Sequence, residues 1–189
     1  MSKIRMRRIM LEKRKKLSPE ESMNASFNIQ QRLLESELYI GAKELVLYSP
    51  IHNEVDSTLL MTDALISGRK VFLPVVADSG LIFQEVKEAG SLRKGAYGIL
   101  EPPPSNSVIT PEKVDLIVVP GVAFDLQGHR VGYGKGYYDK ALHSQEGRGK
   151  LVAVCYDFQV VDEIAVEPHD VMVDLIITEK RIVRPLRSG

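Results

Sequence analysis

Six short runs of Val, Ile and Leu, separated by segments of helical character, constrain the fold of this 189-residue chain most strongly. The runs lack strict alternation of apolar and polar residues, so they are typical of strands covered on both faces of a sheet. Helices are predicted over 57–66, ended by Gly68, and over 137–144. This strand–helix–strand order predicts parallel crossovers and a layered α/β domain. The six predicted strands are 45–48, 71–76, 81–86, 116–119, 151–155 and 175–178.

The first forty residues are predicted to be helical. Residues 3–16 consist of good helix formers and contain neither Gly nor Pro. Ser18-Pro19-Glu20-Glu21 has the pattern of a capping box with proline at the first helical position, so a second helix is predicted to begin there. The apolar residues at helical spacing along this second helix are Met23, Phe27, Leu34 and Leu38.

Turn signals favour a mixed sheet. Asp78-Ser79-Gly80 separates two predicted strands by a hairpin turn, and neighbouring strands joined in this way run antiparallel. The three prolines at 102–104 indicate an irregular loop rather than a domain boundary. A chain of this length fits one domain with a real core. We therefore expect residues 1–189 to form a single α/β domain, a layered sandwich with a mostly parallel or mixed central sheet flanked by helices.

Composition excludes several classes of protein. The formal net charge is zero, so no overall field attracts the chain to nucleic acid or to a membrane. No apolar run approaches the length of a membrane span, and no signal-peptide core is present. Cys155 is the single cysteine, which excludes an internal disulfide framework and fits a reducing compartment. We expect a cytoplasmic protein without a membrane partner, in which Cys155 packs in a buried strand.

The charge is nevertheless uneven along the chain. Residues 3–16 carry eight Lys and Arg residues against Glu12 alone, so the remainder of the chain is acidic. A basic segment on an acidic body is typical of an anion site or of a nucleic-acid tail. The segment lacks interleaved aromatic residues, so we predict no nucleic-acid partner and keep RNA binding as an alternative. A steep salt dependence of RNA binding would favour that alternative.

Residues 128–140, Gly-His-Arg-Val-Gly-Tyr-Gly-Lys-Gly-Tyr-Tyr-Asp-Lys, point most directly to chemistry. Glycine recurs at alternate positions, as Gly132, Gly134 and Gly136. Without a Cβ, such a backbone can take positive φ angles and approach a ligand closely. Successive N–H groups in such a turn converge on an anion, and a helix beginning at Tyr137 would add further N–H groups. The segment therefore predicts an anion site.

The charged residues of this segment specify the anion further. Arg130 and Lys135 supply full positive charges for phosphate oxygens. Asp139 would repel those phosphates unless a cation such as Mg²⁺ bridged them. We interpret the segment as a nucleotide-phosphate site with a metal ion, although its spacing matches neither a Walker A loop nor a dinucleotide fingerprint. The alternative is a glycine-rich loop that caps a helix, with Asp139 favoured in the first turn by the helix dipole.

The glycine-rich segment belongs to a pattern that runs through nearly the whole chain. It is preceded by Val-Pro-Gly-Val-Ala-Phe-Asp at 119–125, and weaker elements occur at Lys3-x-x-x-Arg7 before Leu17-Ser18, at 53–57 (Asn-Glu-Val-Asp-Ser), at 167–170 (Glu-Pro-His-Asp) and at 174–178 (Asp-Leu-Ile-Ile-Thr). In this order the chain resembles the 5-formyltetrahydrofolate cyclo-ligase family, also called methenyltetrahydrofolate synthetases. It departs at Ser57, where the family usually has threonine, and at Val131, where it often has leucine. Both changes keep the chemistry.

The resemblance implies a reaction. Members of the family use ATP and Mg²⁺ to convert 5-formyltetrahydrofolate to 5,10-methenyltetrahydrofolate, with release of ADP and phosphate. An amide-like formyl oxygen is a poor leaving group. Transfer of the γ-phosphoryl group to it gives an iminium phosphate, which the folate N10 attacks as phosphate leaves. Such phosphoryl transfer depends on positioning and charge neutralisation more than on covalent protein chemistry.

The resemblance also assigns residues. Arg130 and Lys135 are expected to stabilise charge on the transferring phosphoryl group as the catalytic pair. The expected ATP contacts are Lys3, Arg7, Arg130, Val131, Gly132, Tyr133, Gly134, Lys135, Gly136, Tyr137 and Tyr138. The expected folate contacts are Glu54, Tyr97, Tyr133, Gly134, Lys135, Gly136 and Tyr137. The expected Mg²⁺ ligands are Asp139 and Asp174.

Each weaker assignment has an alternative. Lys3 and Arg7 lie four residues apart, so one helix face can present both to phosphates, but a solvated basic helix has the same pattern. We expect the first eight residues to bury little apolar surface. Tyr97 can stack on a pterin ring or stand in an ordinary loop. Asp174 can ligate a metal or cap the start of a strand.

Two histidines and one functional alternative stay open. His129 is interpreted as a turn residue, and His169 has no role that the residues define. Glu54 follows the strand ending near Tyr48, and the glycine-rich segment follows the strand ending at Val119; ligands of open α/β sheets bind at such strand ends. A non-catalytic module that binds a nucleotide or sugar phosphate would share these features. ADP release in the presence of formylfolate separates the two hypotheses.

Overall fold

The computed structural model describes residues 1–78, 80–104, 107–143 and 149–185. Its α-helices are α1 (Lys3–Lys15), α2 (Pro19–Leu34), α3 (Glu37–Gly41), α4 (Thr58–Ile66) and α5 (Tyr137–Ala141). Its strands are β1 (Glu44–Val46), β2 (Lys70–Ala77), β3 (Gly80–Val86), β4 (Arg93–Lys94), β5 (Leu100–Glu101), β6 (Val108–Ile109), β7 (Leu116–Val119), β8 (Ala123–Asp125), β9 (Arg130–Val131), β10 (Lys150–Val154), β11 (Val160–Val161), β12 (Leu175–Ile177) and β13 (Ile182–Val183).

Eight strands form a central sheet in the order β13-β12-β10-β7-β1-β2-β3-β6. The five inner strands from β12 to β2 run parallel, whereas β13, β3 and β6 pair antiparallel at the two edges. The six predicted strands correspond to β1, β2, β3, β7, β10 and β12. The prediction of a mixed, helix-flanked α/β sheet is therefore confirmed. Ser79 of the predicted hairpin turn lies outside the described residues, but Ala77 and Gly80 pair on either side of it.

Both faces of the central sheet are buried, which explains why its strands do not alternate. All four residues of β7 are buried. Leu116 and Val118 pack on one face in a cluster that includes Leu33 of α2. Ile117 and Val119 pack on the other face in a cluster that includes Cys155. Burial raises the pKa of the Cys155 thiol, as expected for a packing residue rather than a nucleophile.

The second helix buries a different face from the one that its apolar spacing indicated. Met23 and Phe27 are 66% and 54% exposed, whereas the polar residues Ser26 and Gln30 are buried. Gln30 Oε1 accepts hydrogen bonds from the Leu59 and Leu60 N–H groups at 3.0 and 3.3 Å, in the first turn of α4. These N–H groups have no partner within their own helix, so a buried amide oxygen satisfies them. The helix also ends at Leu34, and Leu38 belongs to α3.

The first helix packs against a second, smaller sheet that the sequence did not indicate. This sheet has the order β11-β8-β9. Met6 and Met10 of α1 are 2% and 5% exposed and join a cluster with Val122, Val131 and Ile164. Among the first eight residues, Met6 is the buried apolar side chain, whereas Met1 and Ile4 are 61% and 77% exposed. The spacing of four residues between Met6 and Met10 is the helical signal that marked this face.

A buried carboxylate fixes the turn between β8 and β9. Asp125 is fully buried, and its two oxygens accept hydrogen bonds from the N–H groups of Gln127, His129 and Ile164 and contact Nδ1 of His129 at 2.8 Å. His129 is thus a turn residue, as predicted. Helix α5, in contrast, ends at Ala141 and is shorter than the predicted 137–144, of which Ser144 lies outside the described residues.

Among the described helices, none combines the length and the apolar character needed to cross a lipid bilayer.

We predict that Gly128→Ala lowers the free energy of unfolding by about 2–4 kcal/mol. Gly128 has a φ of +92°, and a Cβ there would lie 2.6 Å from the carbonyl oxygen of Val173. Gly68 also has a positive φ, +72°, but a Cβ there would meet no atom within 4 Å. Gly68→Ala is therefore the control for strain alone and should cost about 1–2 kcal/mol. Equal urea midpoints and slopes for the two variants would contradict the clash.

Candidate active site

The cavity lies where the chain changes direction across the central sheet. From β1 the chain passes through α4 to β2 on one side, and it later returns to β7 on the other side of β1. In an open α/β sheet the loops at such a point diverge at the carboxyl ends of the strands and leave a crevice. A cavity of about 910 Å³ opens here, lined by residues that follow β1, such as Glu54, and by Pro120, which follows β7.

Most of the residues predicted from the sequence line this one cavity. They are Lys3, Arg7, Glu54, Tyr97, Arg130, Gly132, Tyr133, Gly134, Lys135, Gly136, Tyr137, Tyr138 and Asp139. They come from α1, the loop after β1, the loop that includes β4 and β5, and the continuous segment that runs from strand β9 through residues 132–136 to α5. The structure thus brings together residues from four separate parts of the sequence.

Val131 and Asp174 do not line the cavity. Val131 is 1% exposed, and it packs with Met6 and Met10 in the cluster under α1. Asp174 precedes β12, at the amino end of a parallel strand, and its Oδ2 accepts a hydrogen bond from Leu151 N at 2.8 Å. It therefore caps strands at their amino ends, whereas the cavity lies at the carboxyl ends. The geometry supports neither Val131 as an ATP contact nor Asp174 as a metal ligand.

The glycine loop (residues 132–136) needs glycine at two positions because of its backbone conformation. Gly134 and Gly136 have φ angles of +97° and +67°, a region that other residues rarely adopt. A Cβ on Gly134 would lie 3.5 Å from the guanidinium of Arg7, an ordinary contact distance, and the Nε of Arg7 donates to Gly132 O at 2.7 Å. Helix α5 follows the loop but has only five residues, so its dipole adds less than the sequence suggested.

Arg130 and Asp139 form an ion pair beside the glycine loop. Arg130 lies on β9 rather than in the loop, and its Nη2 donates to Asp139 Oδ1 at 2.9 Å. Its Nη1 donates to Pro120 O at 3.2 Å, and the guanidinium lies 5.5 Å from the ring centre of Tyr138. These contacts hold the charge in one orientation at the cavity wall.

Lys3 contacts the acidic loop that follows β11. Its ammonium lies 2.6 Å from Asp170 Oδ2 and 3.4 Å from Glu167 Oε2. Burial raises the pKa of Asp170, but the hydrogen bonds from Lys3 and from Glu167 N outweigh that effect and lower it. Glu167, His169 and Asp170 offer ligand atoms within 4.8 Å of one another, but the ammonium of Lys3 already supplies a positive charge there. The loop is better explained as the anchor of α1 than as a metal centre.

Glu54 is the buried acidic group of the cavity. Only 4% of its side chain is exposed. Its Oε1 accepts a hydrogen bond from the Tyr133 hydroxyl at 2.7 Å, and its Oε2 accepts one from Ile51 N at 3.0 Å. Burial raises the pKa of Glu54, whereas the charge of Arg14 and the hydrogen bonds from Tyr133 and Ile51 lower it; the net shift is upward.

Arg14 is the component that sequence reasoning missed. It is 1% exposed, and its Nη1 lies 3.7 Å from Glu54 Oε1. In the sequence it is one of eight basic residues in a helix, so nothing distinguishes it by composition. Its spacing does distinguish it, because it continues the series Met6, Met10 at intervals of four.

Two tyrosines form the outer wall. Tyr97 is 69% exposed, has a φ of +57°, and its hydroxyl lies 3.4 Å from that of Tyr137. A left-handed φ is uncommon for a residue with a large side chain and is concentrated at functional sites. Tyr97 therefore stands at the mouth of the cavity with its ring accessible to a ligand.

Comparisons with known proteins agree with this architecture. The sequence profile of the 5-formyltetrahydrofolate cyclo-ligase family matches residues 1–179. The chain belongs to this family.

Relatives within the family match over most of the chain. A 5-formyltetrahydrofolate cyclo-ligase from Mycolicibacterium smegmatis is 34% identical over 158 residues, which cover 80% of this chain and 81% of the relative. The NMR structure of 5,10-methenyltetrahydrofolate synthetase from Aquifex aeolicus is 39% identical, with a TM-score of 0.87, and the match covers 100% of this chain and 95% of that one. The structure of the 5,10-methenyltetrahydrofolate synthetase from Mycoplasma pneumoniae is 29% identical, with a TM-score of 0.76, and the match covers 95% of this chain and 99% of that one. Membership confirms the resemblance drawn from the sequence motifs and identifies the chain as an enzyme.

The raised pKa of Glu54 predicts a pH-dependent stability difference between wild type and Glu54→Gln. Ionising Glu54 costs folding free energy because its pKa is higher in the folded than in the unfolded chain. The protonated carboxyl of Glu54 therefore contributes stability that is complete below the unfolded-state pKa and is lost as pH rises through the folded-state pKa. Glu54→Gln does not ionise, so its free energy of unfolding relative to wild type should rise between about pH 4 and about pH 7. Urea unfolding across this range measures it; a difference independent of pH would contradict the shift.

Proposed function

We propose that this member of the family converts 5-formyltetrahydrofolate to 5,10-methenyltetrahydrofolate with ATP and Mg²⁺, releasing ADP and phosphate. One observation carries the proposal: a single cavity is lined both by the buried carboxylate of Glu54 and by a glycine loop surrounded by cations. Its volume of about 910 Å³ is at the upper end of the range for small-molecule sites, so it has room for two ligands. The names of the relatives support the folate substrate.

The end of the cavity near Glu54 suits a pterin ring. A pterin has two apolar faces and a polar edge of N–H groups, so its site needs flat apolar walls and an acceptor. Glu54 supplies the acceptor, since a carboxylate takes two N–H donors at once. Tyr97 can stack on one face of the ring. The apolar residues that line the cavity include Ile51, Pro74, Val76, Leu81 and Ile99.

The end near the glycine loop suits the phosphates of ATP. Gly134 and Gly136 give a backbone that a phosphate can approach closely, and Lys135 is exposed within the loop. Lys3 and Arg7 add two charges from α1, and Arg130 adds one from β9. Lys3 and Arg130 also pair with Asp170 and Asp139, and together with Arg7 and Lys135 they support ATP binding beside the folate.

The carboxylate oxygens that line the cavity determine whether it can hold Mg²⁺. Mg²⁺ prefers oxygen ligands and is usually held by one or two carboxylates together with substrate phosphates. Asp139 lines the cavity beside the glycine loop and fits that role, with Oδ1 bound to Arg130. Asp174 lies at the amino ends of the strands, away from the cavity, and does not fit the role of a Mg²⁺ ligand. Bound by Asp139 and the phosphates, Mg²⁺ would neutralise charge on the transferred group.

The chain contributes positioning and charge to each step. The formyl oxygen forms a bond to the γ-phosphorus as the bond from that phosphorus to ADP breaks. N10 then bonds to the formyl carbon and gives up its proton to the departing phosphate or to water, and the carbon–oxygen bond breaks as phosphate leaves. Arg130 and Lys135 hold the phosphoryl group and oppose its charge, while Glu54 fixes the pterin so that the formyl group faces it. This division of roles requires no nucleophilic side chain.

Three further expectations from the sequence belong to this proposal: a single domain, a cytoplasmic location and the lack of a nucleic-acid partner. The cavity lining begins at Ser2 and reaches Asp170, which supports one functional domain over residues 1–189. Cytoplasmic location and the lack of a nucleic-acid partner stay predictions. Lys3 and Arg7 line the cavity, so part of the basic charge of α1 has a role that needs no nucleic acid.

Formation of the methenyl product tests the proposal directly. The protein is mixed with ATP, Mg²⁺ and 5-formyltetrahydrofolate, and the absorbance of 5,10-methenyltetrahydrofolate is followed alongside ADP release. We expect the two products in equal amounts. Binding of both ligands without ADP release would favour the non-catalytic binding module, and ADP release that is independent of the folate would overturn the coupling.

We predict that Lys135→Ala lowers turnover by about 10²–10³-fold at saturating ATP, because it removes a positioned charge from the phosphoryl group. Lys140→Ala is the matched control, since Lys140 is exposed on α5 and is not part of the cavity lining. It should keep the wild-type rate. Initial rates of methenyl absorbance measure both variants, and equal rates for the two would remove Lys135 from the catalytic pair.

A further inference from the structure

Arg14 lies behind the cavity wall and contacts three loops that form it. Its Nε donates to His52 O at 2.9 Å, in the loop that carries Glu54. Its Nη1 donates to Gly121 O at 3.4 Å, in the loop after β7. Its Nη2 donates to the Tyr133 hydroxyl, in the glycine loop. The planar fork of an arginine can serve three acceptors in fixed directions, which the single ammonium of a lysine cannot do.

The contact with Tyr133 extends to Glu54. Because the Tyr133 oxygen accepts from Arg14, its own proton is free to donate to Glu54 Oε1, at 2.7 Å. The same oxygen of Glu54 lies 3.7 Å from Nη1 of Arg14. Glu54 is thus held by Arg14 twice, through charge and through the tyrosine hydroxyl. The hydrogen bonds run in one direction from the cation to the carboxylate.

The loop before Glu54 is strained, and Arg14 holds it. His52 and Asn53 both have positive φ angles, +48° and +60°, although neither is glycine. Two consecutive residues in this region persist only where surrounding contacts fix them. Arg14 supplies contacts on both sides, since its side chain binds His52 O and its backbone O accepts from Asn53 Nδ2 at 2.9 Å.

Arg14 is the only cation for which the structure records a contact with Glu54 among the residues that it describes. Among the described residues, three phenols also interact with this carboxylate, and they come from the loop after β1, the glycine loop and α5. Each of them has a raised pKa, with burial as the first cause and the charge of Glu54 as a further one. They are Tyr48, Tyr133 and Tyr138.

We propose that Arg14 is a positioning residue for folate: it fixes the loop and the charge state of Glu54 without touching either ligand. The proposal rests on the assignment of Glu54 to the pterin under the proposed function. Arg14 itself is not part of the cavity lining, so its effect on the substrate passes through Glu54 and Tyr133. Loss of Arg14 removes the cation that opposes burial, so Glu54 takes up a proton at a higher pH and loses one acceptor position.

The test compares Arg14→Gln, Arg14→Lys and Lys15→Gln with wild type. Lys15 is the matched control, because it lies on the same helix, carries the same charge and has a side chain that is 71% exposed. KM for 5-formyltetrahydrofolate and KM for ATP are measured at about pH 6 and about pH 8.5, on either side of neutrality. Circular dichroism establishes that each variant is folded.

For Arg14→Gln we expect the folate KM to rise by about 10- to 100-fold at the lower pH, since a hydrogen-bonded charge is lost. The rise should be smaller at the higher pH, where Glu54 is ionised again, and the ATP KM should change much less. Arg14→Lys should keep the wild-type pH dependence, because its charge persists, with a folate KM raised on the order of tenfold, because the fork is lost. Lys15→Gln should match wild type.

The outcomes separate the role of Arg14 from the function itself. Without turnover of 5-formyltetrahydrofolate by wild type, the proposed function fails. With wild-type turnover, an Arg14→Gln variant that has a normal folate KM overturns the positioning role, and so does an equal, pH-independent rise in both KM values. If Arg14→Gln does not fold, Arg14→Lys decides: a selective rise in folate KM supports the role, and unchanged or equally raised values overturn it.

Discussion

The parallel pairing of β1 with both β2 and β7 is the constraint on which the site depends. Because the chain leaves β1 on one side and returns on the other, the loops after β1 and β7 must separate at their carboxyl ends. This separation needs no special residue; it follows from the order of apolar strands and from the burial of both sheet faces. The residues with chemistry then lie on the loops that diverge, and the buried strands hold those loops at fixed distances.

The electrostatics of the cavity follow from the same arrangement. One end collects cations around the glycine loop, and the other buries Glu54 away from water. A carboxylate in such a position is costly, and its raised pKa records the cost. The structure offsets part of it with Arg14 and with the Tyr133 hydroxyl. Tyr133 belongs to the glycine loop, so the hydroxyl that donates to Glu54 comes from the loop that is proposed to hold the phosphates. The two ends of the cavity are therefore connected by hydrogen bonds.

Sequence reasoning predicted the central strands and the glycine-rich part of the cavity because their signals are local, whereas Lys3, Arg7, Glu54 and Tyr97 were assigned from the family resemblance. Apolar runs mark buried strands, and alternating glycines mark a loop with positive φ. Other features depend on contacts that are distant in sequence. Gln30 is buried on α2 because it caps α4, so no pattern within α2 reveals that face. Asp174 matches a motif, but its position at the amino end of β12 separates it from the cavity, and only the strand order shows this.

The first helix shows how one local period can serve packing and chemistry together. Lys3, Arg7 and Arg14 recur at intervals of four and seven, which place residues on a common side of a helix, and Met10 lies between them. Lys3 and Arg14 are eleven residues apart, so their backbones are separated by about 16 Å along the axis. That span lets one rigid helix bring charge to the proposed phosphate end of the cavity and place Arg14 behind Glu54 at the other end. Since Met6 and Met10 bury α1 against the second sheet, the positions of all three cations are set by the apolar core.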